Sequence, residues 1–421
     1  MKHTVLRHIH QIATPIGQTA RRGPQMKQLR LIEDGAIWIA GDKIRMVDSD
    51  STVIAALPDL PEIHWVDAKN KCAIPGFVDA HTHFLFAGTR AQEFDERLAG
   101  VAYLDLLAKG GGICSTMQAV REASAEELFQ QGKETLQEML QFGITTLEGK
   151  SGYGLNEPDE LKQLAVMKRL DQEQPITILR TYLGAHAVPP EYAKNSNGYV
   201  DFIRENMLPQ IEERALADYV DVFCEKGVFN LAQSRAILER AKELGFSLKL
   251  HADEMTSIGG AGLACELNAL SADHLLSISH EDIHRLADSN TIAVLLPATA
   301  FCMRRPYAPA RQLIQQGAAV ALASDFNPGS CYTYSTALLF ALSVIQMQMT
   351  TAEVLTGMTL NGAAALGKAA EIGSLEAGKQ ADILLLNAPD YRYLAYKTGV
   401  NLVENVFKGG VACELPHHRP C

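Results

Sequence analysis

The stretch PGFVDAHTH, residues 75–83, decides the fold. It opens on a Pro-Gly breaker, runs through Phe77, Val78 and Ala80, and ends on His81-Thr82-His83. Residues i and i+2 of a strand share a side, so both imidazoles can face one way at the strand's C-terminal end. Seven further apolar stretches follow: ITTLEG (144–149), ITILRTYLGAH (176–186), YVDVFCE (219–225), SLKLHADE (247–254), SADHL (271–275), TIAVLLP (291–297) and AVALASDFNP (319–328). Helical patterns such as KETLQEMLQFG and RAILERAKELG lie between them. Ser124 with Glu127, and Thr350 with Glu353, have the spacing of a capping box. Eight βα units in succession predict an α/β protein built on a TIM (β/α)8 barrel. The connection over 84–143 is long for a barrel loop, and such length goes with function.

Outward from the barrel, the chain ends read as strands. AIWIAGDKIRMVDS carries a Gly41-Asp42 turn between two apolar runs, which is a hairpin signal. ADILLLNAP near the other end is a short apolar strand. Two β-rich ends flanking an α/β middle predict one small sheet domain assembled from both termini.

Composition narrows the function. The chain has 421 residues, 47% of them apolar and 21% charged, so it can bury a large core. Its net charge of -11 disfavours nucleic acid as the main partner. No run of 18 apolar residues predicts a membrane span, and the N-terminus lacks a signal-peptide pattern. The eight cysteines are scattered without a CxxC pair, as expected of free thiols in a reducing cytoplasm. Gly110-Gly111-Gly112 lacks the spacing of a phosphate loop and reads as a loop joint.

The predicted strand ends carry the chemistry. His81 and His83 end the first strand, His186 the third, His251 the fifth, His274 the sixth and Asp325 the eighth. In a TIM barrel these positions share one mouth. His81, His83, His251 and Asp325 form a three-histidine, one-carboxylate set suited to Zn²⁺ or Fe²⁺ with a position left for water. His274 reads as a general base or electrophile, with a fifth metal ligand or a core histidine as the alternatives.

With these residues in view, the chain resembles the amidohydrolase superfamily through PGFVDAHTH (75–83) and GSLEAGKQADILLL (373–386). The resemblance spans essentially the whole chain. It implies a barrel over 72–366 and a β-sandwich domain made from 1–71 and 367–421. HTHFLFAGTRAQEF (81–94), EGKSGYGL (148–155), TYLGAHAVP (181–189), VFCEKGVF (222–229), KLHADE (249–254) and SDFNPGS (324–330) are similar to its cyclic-amide, ring-opening members. That similarity implies hydrolysis of 4-imidazolone-5-propanoate to N-formimino-L-glutamate in histidine degradation, by a metal-activated water. It implies one metal ion per chain, Zn²⁺ or Fe²⁺/Fe³⁺, and a homodimer. The alternative within the superfamily is a guanine- or cytosine-type deaminase. Binuclear members carry a bridging lysine at the end of strand four; here Lys226 lies beyond VDVFCE, which favours one metal.

Site roles follow from the resemblance. Glu254 contacts the substrate ring and passes a proton to the leaving nitrogen, alongside His274 and the ligand Asp325. A propionate calls for an arginine, which binds a carboxylate through two parallel bonds, and Arg90 is the candidate. Tyr153 and His186 are expected to hydrogen-bond the substrate. Asn327, Gly329 and Ser330 are expected to line the strand-eight rim and touch it too.

Overall fold

The computed structural model describes residues 2–59, 62–101 and 111–415. Strands β1 His3–Thr14, β2 Arg30–Ala40, β3 Lys43–Ser49, β4 His64–Asp67 and β5 Cys72–Pro75 come first. The barrel strands are β6 Phe77–Thr82, β7 Ile144–Lys150, β8 Thr177–Ala185, β9 Tyr219–Cys224, β10 Ser247–Ala252, β11 Ser271–His274, β12 Ile292–Leu295 and β13 Val320–Leu322. Then come β14 Ile383–Leu386, β15 Val403–Lys408 and β16 Val411–Ala412.

Strands β6 to β13 pair in sequence order, all parallel, and each matches one of the eight stretches that the apolar pattern marks, β7 running one residue past its stretch to Lys150. The ring closes where Thr82 bridges Phe326 and the His83 amide donates to the Phe326 carbonyl at 2.9 Å. Both predicted capping boxes are present, at Ser124 and at Thr350. Within the long first connection, helices span Ala91–Leu98, Ile113–Glu122 and Ala125–Gln141; Gly110 lies outside the described residues.

The other strands make one continuous sheet from both ends of the chain, in the order β16-β15-β14-β5-β1-β2-β3, with β4 also on β1. The hairpin at Gly41-Asp42 is there, with Gly41 at φ +64°. Cys72–Pro75, expected at the start of the barrel, is a strand of this terminal sheet: it pairs with β1 through Gln11 and Ile12, and with β14 through residues 383–386. The chain leaves β5 through Gly76 directly into β6, the first barrel strand. Leu6, Ile37, Ile39, Ile44, Ile383, Leu385 and Phe407 form the sheet's own buried core.

The barrel interior is polar at the level of the site. Period two puts Glu148 and Lys150 of β7 on one side, as it does Lys249 and His251 of β10. These four side chains, with Asp221 of β9 and Asp273 of β11, are buried.

Candidate metal centre

His81 lies near the end of β6 and His83 just past it. His251 lies on β10, and His274 ends β11. Alternation would send His274 away from its neighbour Asp273, yet both face the site. His274 adopts φ +76°, a left-handed conformation that swings it round; Asp325 does the same at φ +52°.

The ring nitrogens converge. Single ligand atoms of His81, His83 and His251 lie within 4.8 Å of one another, and so do those of His81, His274 and Asp325. Asp325 Oδ1 is 3.5 Å from His81 Nε2 and 3.6 Å from His83 Nε2. Its other oxygen accepts from Thr299 Oγ1 at 2.7 Å. His81 Nε2, His251 Nε2 and both nitrogens of His274 are buried with no hydrogen-bond partner among the described residues. Buried polar atoms are normally satisfied; bare nitrogens on three imidazole rings gathered beside a carboxylate fit a cation.

A second layer fixes the rings. His81 donates from Nδ1 to Asp273 Oδ2 at 2.6 Å, and His251 from Nδ1 to Asp221 Oδ2 at 2.9 Å. Outer partners of this kind set a ligand's tautomer and orientation. Sequence reading missed Asp221, Asp273, Glu148, Lys150 and Lys249. The available signal was a charge inside strands otherwise read as apolar, as in YVDVF and SLKLH.

Electrostatics suit ligation. Burial holds His81, His83 and His274 well below the usual histidine range, so their rings are neutral. His274 therefore lacks the ordinary value near ~6.5 expected of it. Burial opposes charge on His251 as well, but Asp221 outweighs it and raises the group. Burial pushes Asp325 and Glu254 up, each to about 7. Glu254 Oε1 lies 3.8 Å from His274 Nδ1.

Around this point stand the expected substrate residues. The Tyr153 ring is 5.8 Å from that of His83 and 5.3 Å from that of His186, and His186 stacks on His83 at 4.9 Å. Tyr153 is placed by its Gly-rich turn, whose amides at Gly152, Gly154 and Leu155 donate to the buried Glu160 carboxylate. His186 Nδ1 donates to the Gly152 carbonyl of the same turn at 3.1 Å. Arg90 is paired with Glu93 at 2.9 Å and lies against Gly329. Asn327 spends its side chain inside the rim loop, accepting from Gly329 N and Ser330 N and donating to the Asp325 carbonyl. It thereby shapes the rim loop that carries Gly329 and Ser330. Lys226 is exposed, away from the buried ring nitrogens.

Comparisons with known proteins agree with this picture. The amidohydrolase family model matches residues 72–413. The chain is 48% identical to an imidazolonepropionase of Clostridium tetani, over 97% of each chain. It is 49% identical to that of Phocaeicola vulgatus, over 95% of this chain and 96% of the other. Among solved structures, Escherichia coli guanine deaminase superposes with a TM-score of 0.75 over 99% of this chain and 100% of that one. At 14% identity it shares the fold alone.

Proposed function

The chain belongs to the amidohydrolase family, and from that premise we propose that it hydrolyses the cyclic amide of 4-imidazolone-5-propanoate to N-formimino-L-glutamate, a step of histidine degradation. The observation that carries this reading is the near-full-length similarity to imidazolonepropionases.

His81, His83, His251 and Asp325 would hold one metal ion, zinc or iron. Such an ion, when bound, makes water nucleophilic at neutral pH and polarises the carbonyl it faces. The rest falls to the protein. His274 is neutral and takes up the proton released as the ring carbonyl is attacked. The Glu254 carboxylate, close to His274 and with its carboxyl raised to about 7, receives that proton and hands it on to the leaving ring nitrogen, and the C–N bond breaks. Arg90 binds the propionate, with Tyr153 and His186 beside it, and the Gly329-Ser330 rim closes the other side. All seven described cysteines are unpaired, which suits the cytoplasm, and no helix among the described residues is long and apolar enough to cross a membrane.

The test is direct. Metal-loaded protein given imidazolone propionate should yield N-formimino-glutamate. Ammonia from guanine or cytosine, with no ring opening of the imidazolone, would transfer the assignment to a deaminase. Size-exclusion chromatography tests the homodimer.

A further inference from the structure

Beneath the candidate ligands lies a buried ionic cluster with no part in the chemistry above. Lys150 is wholly buried, and its Nζ is 2.7 Å from Glu148 Oε1, 2.7 Å from Asp221 Oδ2 and 3.6 Å from Asp273 Oδ2. An ammonium has three N–H donors; this one hydrogen-bonds Glu148 and Asp221 and faces Asp273 as a longer ion pair. Two of those oxygens are already in use: Asp221 Oδ2 is the atom that holds His251 Nδ1, and Asp273 Oδ2 the atom that holds His81 Nδ1.

We propose that Lys150 is the positioning residue of the metal centre, joining Asp221 to Asp273 so that His251 and His81 are both held as the Nδ1–H tautomer with Nε2 bare and aimed at the metal. This rests on the reading of His81 and His251 as ligands. Each carboxylate oxygen sits between an ammonium and an imidazole N–H, so neither carboxylate can turn without breaking the shared contact. One cation thereby ties together the orientation of two rings carried on different strands. Glu148 anchors the ammonium from below, itself bound by the Thr181 hydroxyl and, at 3.0 Å, by Lys249.

Lys249 provides the contrast. It is equally buried, but its other contacts are the carbonyls of Ala80 at 3.2 Å and Ala365 at 3.3 Å. Its charge acts on Asp273 through space, but among the described residues its direct polar contacts are Glu148 and these two carbonyls, so it bridges neither Asp221 nor Asp273 to a histidine. If burying a cation near the site were all that mattered, the two lysines would be equivalent.

The experiment compares K150M and K249M, using Zn²⁺ alone as probe in competition with a chromophoric chelator. K150M should lose roughly 10–100-fold in Zn²⁺ affinity, the usual scale for removing an outer partner of a ligand, and K249M much less. Equal losses in the two, or none in K150M, would overturn the proposal. Should K150M not fold, ¹⁵N-histidine spectra of the metal-free parent protein, titrated upward until each ring has lost its proton, decide: His81 and His251 must then appear as Nδ1–H tautomers. An Nε2–H tautomer at either position sinks it. The premise fails separately, if H81A and H251A bind Zn²⁺ as tightly as the parent.

Discussion

Arg90 and Gly329 share space so closely that a methyl built on Gly329 would stand 2.3 Å from Arg90 Nη1. The first loop thus lays its guanidinium directly on the rim loop that follows β13, held from behind by Glu93. G329A should displace Arg90 and raise KM for imidazolone propionate with little change in kcat. R90A should cost roughly 10- to 150-fold in kcat/KM, the worth of a charge-assisted bond. R90K should be impaired too, because lysine lacks the planar fork. Equal effects on a neutral analogue lacking the carboxylate would contradict this role for Arg90.

Metal uptake should release protons in a pH-dependent way. Burial raises Asp325 to about 7, so it is largely protonated at about pH 6 and ionised at about pH 8; only the carboxylate ligates. His251 is raised as well and must also be neutral to ligate. Calorimetry in buffers of different ionisation enthalpy should therefore find up to about two protons released per metal near pH 6, with the Asp325 share largely gone near pH 8. D325N should release about one fewer. Proton release that does not vary between these pH values would remove Asp325 from the ligand set.

His274 forms a ligand-distance trio with His81 and Asp325, so its role needs separating from theirs. H274A should keep the metal and lose roughly 10²–10⁴ in kcat, the scale of a general acid–base group. Elemental analysis of the purified variant is the check; loss of the metal would make His274 a fifth ligand.

Glu254 sets the last expectation. To accept a proton its carboxyl must be ionised, so kcat/KM should rise with pH through an acid limb at or below about 7, since a nearby cation favours the carboxylate. E254Q should lose that limb together with most of kcat. An unchanged limb in E254Q would assign it to another group.

How far the site is legible in the sequence depends on backbone conformation. His81, His83 and His251 follow strand periodicity and can be read directly. Asp325 and His274 are identifiable as strand-end residues, but their aim comes from left-handed backbone that no alternation rule predicts. Lys150, Asp221 and Asp273 were hidden for a different reason. A charged residue within an apolar strand is discounted as exposed, whereas a barrel interior buries such groups when they neutralise one another. Lys226 drew attention through its place in the sequence, yet the lysine at the centre of the site is Lys150. The same limit applies to β5, whose apolar residues give no sign of which sheet they join.

That strand has a consequence for how the chain is made. β5 is flanked by β1 and by β14, which lies about 300 residues further on. At ribosomal rates of roughly 5–20 residues per second, β5 waits on the order of 15–60 s for its second neighbour. Throughout that interval the whole barrel is being synthesised while an apolar strand edge beside it stands open to foreign pairing. The last barrel helices can fold before the small sheet is complete, so a ribosome stalled ahead of residue 383 would release a barrel whose first strand hangs from an unfinished sheet. Nascent chains arrested there should be captured by chaperones far more than chains arrested after residue 412.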